Sequence, residues 1–127
     1  MTLTVLPIRY AVCQLPAADP PPDWVWHGVF CSVTRTATET SVVTAEANVP
    51  GGVLCERGWR LLQVAGPLPF DMTGVLSALA EPLAGAGVSI FSVSTYDTDY
   101  VLVQHDCLAD AIAALQMAGN TVNSADV

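Results

Sequence analysis

Apolar and polar positions along the chain alternate in some segments and fall at helical spacing in others. "LTVLPIRYAVCQL" (3–15) is dense in β-branched and apolar residues. It reads as one strand, with Pro7 at its start or edge. "PAADPPPDW" (16–24) holds four prolines in nine residues, which excludes a helix of any length. "VFCSVTRTATETSVVTA" (29–45) alternates and breaks near Ala37 and Thr38, the pattern of a hairpin. "EANVPGG" (46–52) reads as a turn or helical stub, and "RGWRLLQV" (57–64) as a further strand.

Helical spacing begins after the loop "AGPLPFDMTG" (65–74). Val75, Leu76, Leu79 and Leu83 fall on one face, with Asp71 or Thr73 placed to cap the start. Pro82 should tighten the last turn, and Gly85 or Gly87 should end the helix. "VSIFSVSTY" (88–96) and "YVLVQ" (100–104) are predicted strands of a tight hairpin, joined through Asp97, Thr98 and Asp99. A second helix follows, capped by Asp106. Its apolar face is Leu108, Ala111, Ile112, Leu115 and Ala118, and Gly119 stops it. "NTVNSADV" closes as a weak strand or tail. Residues 59–127 therefore follow the βαββαβ order of a ferredoxin-like α+β unit, with two helices on one face of an antiparallel sheet.

Residues 1–58 carry a trace of the same plan. Shifted by 60, "CSVTRTATETSVV" (31–43) lies on "FSVSTYDTDYVLV" (91–103) with seven of thirteen positions identical or conservative. The expected organisation is thus a degenerate unit with shortened helices (1–58) followed by a complete one (59–127).

"GPLPFDMTGVL", "LAGAGVSIF" and "STYDTDYVLV" resemble the ACT-domain proteins of the bacterial group related to the CASTOR arginine sensors. "LPIRYAVCQLP", "SVTRTATETSVV" and "CERGWR" resemble the leading, degenerate ACT-like unit of the same group. The resemblance implies tandem ACT-like units whose sheets join. It further implies a non-enzymatic regulatory or sensor protein that binds a free amino acid at the interface of the two units, near the loop after the first strand.

Composition narrows the alternatives. Net charge is −8, from twelve acidic residues against four arginines and no lysine. No basic patch can form, so nucleic-acid partners and anionic membrane surfaces are not expected. Charged residues are only 13% of the chain, about half the usual share. The surface should therefore be unusually apolar, which permits a homodimer through sheet or apolar surface. Cys13, Cys31, Cys55 and Cys107 form no C-x-x-C pair. With no amino-terminal signal pattern, a cytoplasmic protein with free, mostly buried thiols is expected. No catalytic constellation is found: His27 and His105 stand apart from any nucleophile motif, and Asp97, Asp99 and His105 match no standard metal spacing. Neither a metal nor a cofactor is expected. Trp24, Trp26 and Trp59 read as core or interface anchors.

Two segments carry the candidate chemistry. In "STYDTDY" (94–100), one reading has Asp97 and Asp99 stop a hairpin, as turn carboxylates do. They can also face an α-ammonium group through charge-assisted bonds. The resemblance favours Asp99 for that role, with Thr95 and Tyr96 beside it and Glu39 as its counterpart in the first unit. In "GPLPFDMTG" (66–74), the loop can simply connect a strand to a helix. Backbone N–H groups near Thr73 and Gly74 also suit a carboxylate. The candidate ligand residues are Gly66, Pro67, Phe70, Thr73, Gly74, Thr95, Tyr96, Asp97 and Asp99. The competing reading is an interaction or oligomerisation module with a vestigial pocket.

Overall fold

A computed structural model describes residues 1–124; residues 125–127, the end of the expected tail strand, lie outside the described residues. The elements are β1 (Thr2–Leu15), β2 (Ser32–Arg35), β3 (Thr40–Ala45), β4 (Cys55–Val64), α1 (Val75–Gly85), β5 (Phe91–Ser94), β6 (Asp99–Gln104), α2 (Leu108–Met117) and β7 (Thr121–Ser124). Single 3₁₀ turns occupy Asp23–Trp26, Glu46–Asn48 and His105–Cys107.

The chain divides into two compact units. One joins Met1–Pro7 to the chain from Arg60 onward; the other is Ile8–Trp59. Strands β1 and β4 contribute residues to both.

In the first of these units, β4, α1, β5, β6, α2 and β7 follow in βαββαβ order. The spatial strand order is β7-β1-β4-β6-β5. The amino-terminal end of β1 is thus inserted between the first and last strands of the motif. β7 runs parallel to it, from Thr2↔Thr121 to Val5↔Ser124. The Met1 ammonium donates to Asn120 Oδ1 at 3.0 Å and the Thr121 amide to Met1 O at 2.9 Å, which fastens this junction. The periodicity of the tail showed a weak strand but not this partner.

Leu79 and Leu83 of α1 and Ala111 and Leu115 of α2 bury against Leu3, Val5, Leu62, Val64, Val101 and Val103. Leu108 and Ile112 pack at the rim of that cluster, and Ala118 is exposed. Both helices end in the same way. Gly87 (φ +75°) and Gly119 (φ +97°) take the left-handed conformation. The next residues, Val88 and Asn120, return their amides to Leu83 O and Leu115 O, which is the Schellman arrangement.

Helix starts differ from expectation. Gly74 (φ +80°), not Asp71 or Thr73, precedes α1, and no side chain caps it. Its carbonyl accepts the Ala78 amide at 2.9 Å. Asp106 lies inside a 3₁₀ turn and does not cap α2. Strand β5 is also shorter than the apolar pattern suggested, because Val88–Ile90 lead out of the helix without pairing, whereas β6 begins one residue earlier, at Asp99.

In the unit Ile8–Trp59 the strand order is β4-β1-β3-β2. Its helical elements are the 3₁₀ turns at Asp23–Trp26 and Glu46–Asn48. Val25 from the first turn enters a core with Ala11, Cys13, Val42 and Val49. The Thr44 hydroxyl, fully buried, donates to Val25 O at 2.8 Å and anchors the turn. Trp24 packs at the edge of this core, but Trp26 is 55% exposed and anchors none.

The two hairpins correspond at an offset of 59, not 60. Arg35 pairs with Thr40 as Ser94 pairs with Asp99, and Ser32 pairs with Val43 as Phe91 pairs with Leu102. The Thr36 amide bonds Glu39 O at 2.9 Å as the Thr95 amide bonds Thr98 O at 2.8 Å. A one-residue slip moves every side chain to the other face. The counterpart of Glu39 is therefore Thr98, and that of Asp99 is Thr40.

Leu79 is fully buried, whereas Met117 on the second helix is 89% exposed. Leu79→Ala should cost ~2–5 kcal/mol in urea denaturation. Met117→Ala should stay within ~0.5 kcal/mol of the parent. Comparable losses from both would show the helix faces to be misassigned.

Candidate functional site

The loop after β4 and the tip of the β5–β6 hairpin meet at one end of α1. Three local features bring them together. The Thr98 hydroxyl, 5% exposed, donates to Val64 O at 2.7 Å. The Leu68 amide donates to Asp97 O at 2.7 Å. Gly66 lies so close to the hairpin that a Cβ there would stand 3.0 Å from Thr98 Cβ and 3.1 Å from Asp97 O. Within the tip, the Thr95 hydroxyl donates to Thr98 O at 3.1 Å and accepts from the Thr98 amide at 3.3 Å.

These contacts leave an open cleft of about 340 Å³, near the small end of the range for ligand pockets. Phe70, Gly74, Thr95, Tyr96, Asp97 and Asp99, all selected from the sequence, line it. Gly66, Pro67 and Thr73 do not. Gly66 serves the approach of loop to hairpin, and Pro67 and Thr73 are exposed. Sequence reasoning missed Leu68, Pro69, Met72, Val75, Leu76, Ser94 and Thr98 as lining residues. Leu68 and Met72 sit in the very loop singled out for its glycines and prolines. Thr98 passed for a turn residue because its hydroxyl's partner, Val64 O, is distant in sequence. All the lining residues belong to the unit that contains both helices.

The cleft has two chemically different sides. Asp97, exposed, and Asp99, half-buried as the first residue of β6, place carboxylates on the hairpin side. On the other side are Gly74, Val75 and Leu76 at the start of α1. First-turn amides have no intrahelical acceptor, and the helix dipole makes this end positive. The rim is aromatic: Phe70 and Tyr96, 80% and 82% exposed, pack with ring centroids 4.9 Å apart. No arginine lines the cleft. Among the described residues, no cluster of His, Cys, Asp and Glu is arranged to hold a metal ion. No helix among them is long and apolar enough to cross a membrane.

A model of the ACT domain matches residues 54–117, half of the chain. The chain belongs to the ACT-domain family. A second model, describing an amino-terminal domain, matches residues 9–52. A solved structure of an Agrobacterium tumefaciens protein is 33% identical and superposes with a TM-score of 0.93, covering 99% of this chain and 94% of that one. The human protein named cytosolic arginine sensor for mTORC1 subunit 1 is 39% identical over 59 residues. That match takes in 46% of this ACT-domain chain but only 18% of the sensor's length. The regulatory subunit of aspartate kinase from Thermus thermophilus shares the fold at 12% identity, with a TM-score of 0.59 over 87% of this chain and 91% of that one.

Thr98→Val keeps the shape of the hairpin tip and removes its buried donor. Val64 O then loses its hydroxyl partner, and the protein should lose ~1–3 kcal/mol in chemical denaturation. Thr98→Ser, which keeps the hydroxyl, should recover most of that loss. Equal losses from Val and Ser would assign the effect to packing.

Proposed function

We propose that this ACT-domain protein is a non-enzymatic regulatory binder of a free amino acid, held in the cleft between the β5–β6 hairpin tip and the start of α1. The observation that carries the reading is the pairing of two carboxylates with a helix amino terminus in one small cleft. A free amino acid presents an ammonium and a carboxylate a few bonds apart. Asp99 and Asp97 suit the ammonium, and the first-turn amides suit the carboxylate. Leu68, Met72 and the Phe70–Tyr96 pair offer apolar and aromatic surface to the side chain.

The relatives support this reading. Curated proteins that match 46% of this chain are named as arginine sensors, and their name places them in the cytosol. We extend a cytosolic location and amino-acid sensing to this chain on that likeness. We also read Ile8–Trp59 as a reduced second ACT-like unit, because its strand order and hairpin register repeat those of the other unit while its helices have shrunk to 3₁₀ turns.

Thermal-shift screening over the free amino acids tests the proposal. A true ligand at about 100 times its dissociation constant should add ~2–3 kcal/mol, several degrees for a domain of this size. Calorimetric titration of the best hit should then show Asp99→Asn losing ~2–5 kcal/mol in binding while melting like the parent. Asp97→Asn should lose less, because Asp97 is the more exposed. Glu39→Gln should bind as the parent does, since Glu39 lies in the other hairpin and bonds Gln14. Parent-like affinity in all three variants would place the ligand elsewhere. A screen without any stabilising amino acid would leave the interaction-module reading standing.

A further inference from the structure

Two thiols that the ligand reading does not use face each other across neighbouring strands. β1 and β4 are adjacent in the sheet. They run antiparallel, since Gln14 bonds Leu54 at one end and Ala65 bonds Thr2 at the other. The Gln14 amide donates to Leu54 O at 2.9 Å, which makes Gln14 and Leu54 a hydrogen-bonded pair. The next pair along is Cys13 with Cys55, a non-hydrogen-bonded pair. At such positions the Cα atoms are about 4.5 Å apart and the side chains are closest. That separation is inside the window of about 4.4–6.8 Å that a disulfide requires.

Both side chains point into the same core, Cys13 within it and Cys55 packed against it, and both are free thiols. Cys13 is 2% exposed, and Cys55 is half-buried. Burial pushes the Cys13 thiol up to about 11, with the charge of Cys55 and a hydrogen bond between the two thiols adding to the effect and the Arg57 charge opposing it. Cys13 thus keeps its proton while Cys55 meets solvent.

From this geometry we infer that Cys13 and Cys55 form a reversible dithiol–disulfide pair, with Cys55 as the attacking and Cys13 as the resolving thiol. The oxidant is a small-molecule disulfide such as oxidised glutathione. The Cys55 thiolate attacks one sulfur of that disulfide. The sulfur–sulfur bond breaks, and one small thiol leaves and takes up a proton. Cys13 then loses its proton to solvent and attacks the Cys55 sulfur of the mixed disulfide, releasing the second small thiol. Two protein thiols are oxidised to one disulfide, and one small disulfide is reduced to two thiols. Strained or accessible disulfides are the readily reduced kind, so the bond should reopen with excess reduced glutathione.

The test treats the folded 127-residue chain with oxidised glutathione, blocks remaining thiols by alkylation, and reads intact mass and peptide linkage. The expected product has lost two hydrogens, carries a Cys13–Cys55 link, and is alkylated at Cys31 and Cys107. Cys13→Ala should instead accumulate one glutathione on Cys55, because the resolving thiol is gone. Cys55→Ala should leave Cys13 unmodified while folded. Circular dichroism on each variant checks the fold, and the parent protein's own cross-link does not depend on either variant. A link that forms only after denaturation, a link involving Cys31 or Cys107, or glutathione accumulating on Cys13 would each overturn the inference. It stands apart from the amino-acid reading, and its outcome leaves that reading untouched.

Discussion

The Thr98 hydroxyl, bonded to Val64 O at 2.7 Å in a buried site, is the contact on which the cleft depends. Val64 ends β4, and Thr98 closes the β5–β6 turn. Their bond fixes the distance between the loop toward α1 and the hairpin tip. A buried carbonyl without a donor costs about as much as a marginal domain can easily lose, so this joint is strongly specified. Gly66 is the complement to it. Any side chain there would press on Thr98 Cβ and on Asp97 O. With the joint closed, the Leu68 amide reaches Asp97 O, and the apolar loop and the acidic tip come to share one cavity.

The unit that carries the cleft is completed by residues far away in sequence. Leu3 and Val5 sit in the same core as both helices, and β7 finds its partner on Thr2–Val5. A four-residue strand with one half-buried apolar residue, Val122, has little to stabilise it alone. Parallel pairing to an already buried strand supplies what it lacks. Between the bonds Gln14–Leu54 and Thr2–Ala65, β1 runs one residue longer than β4. Pro7, Ile8 and Arg9 are exposed in succession, which breaks the two-residue alternation as a bulge does. Proline, with no amide to donate, fits that position.

Local pattern carried most of the fold to the reader of the sequence. Leu79, Leu83, Ala111 and Leu115 at helical spacing gave both helices their buried faces, and Gly87 and Gly119 marked their ends. Long-range partners were the blind spot. Nothing near Asp71 or Thr73 reveals that Gly74 will take a left-handed conformation and leave both side chains idle. The hairpin repeat was visible, yet identities at Ser32/Ser92 and Val43/Val103 drew the alignment one residue out of register. Small polar and β-branched residues recur on both faces of a strand and cannot report its phase; the pairing of Arg35 with Thr40 and Ser94 with Asp99 does. For the cleft, charged and glycine positions were legible because they interrupt apolar pattern. Leu68, Met72, Val75 and Leu76 look like any core residue until the loop is placed.

The absence of arginine from the cleft lining shapes its electrostatics. Two carboxylates with no side-chain cation between them give the hairpin side a negative field, in a chain already at −8. A ligand carboxylate brought there alone would be repelled. Only the partial charge at the start of α1, about half an elementary unit and short in range, opposes that field. A purely anionic ligand is therefore disfavoured, and the proposed binding mode turns the ammonium of a zwitterion toward Asp97 and Asp99 and its carboxylate toward the start of α1. In that proposed mode the aromatic rim lies toward whatever extends from the ligand's α-carbon. A cationic side chain on that carbon would gain twice, from the carboxylates by charge and from the exposed Phe70–Tyr96 pair by cation–π attraction. An acidic side chain would gain from neither.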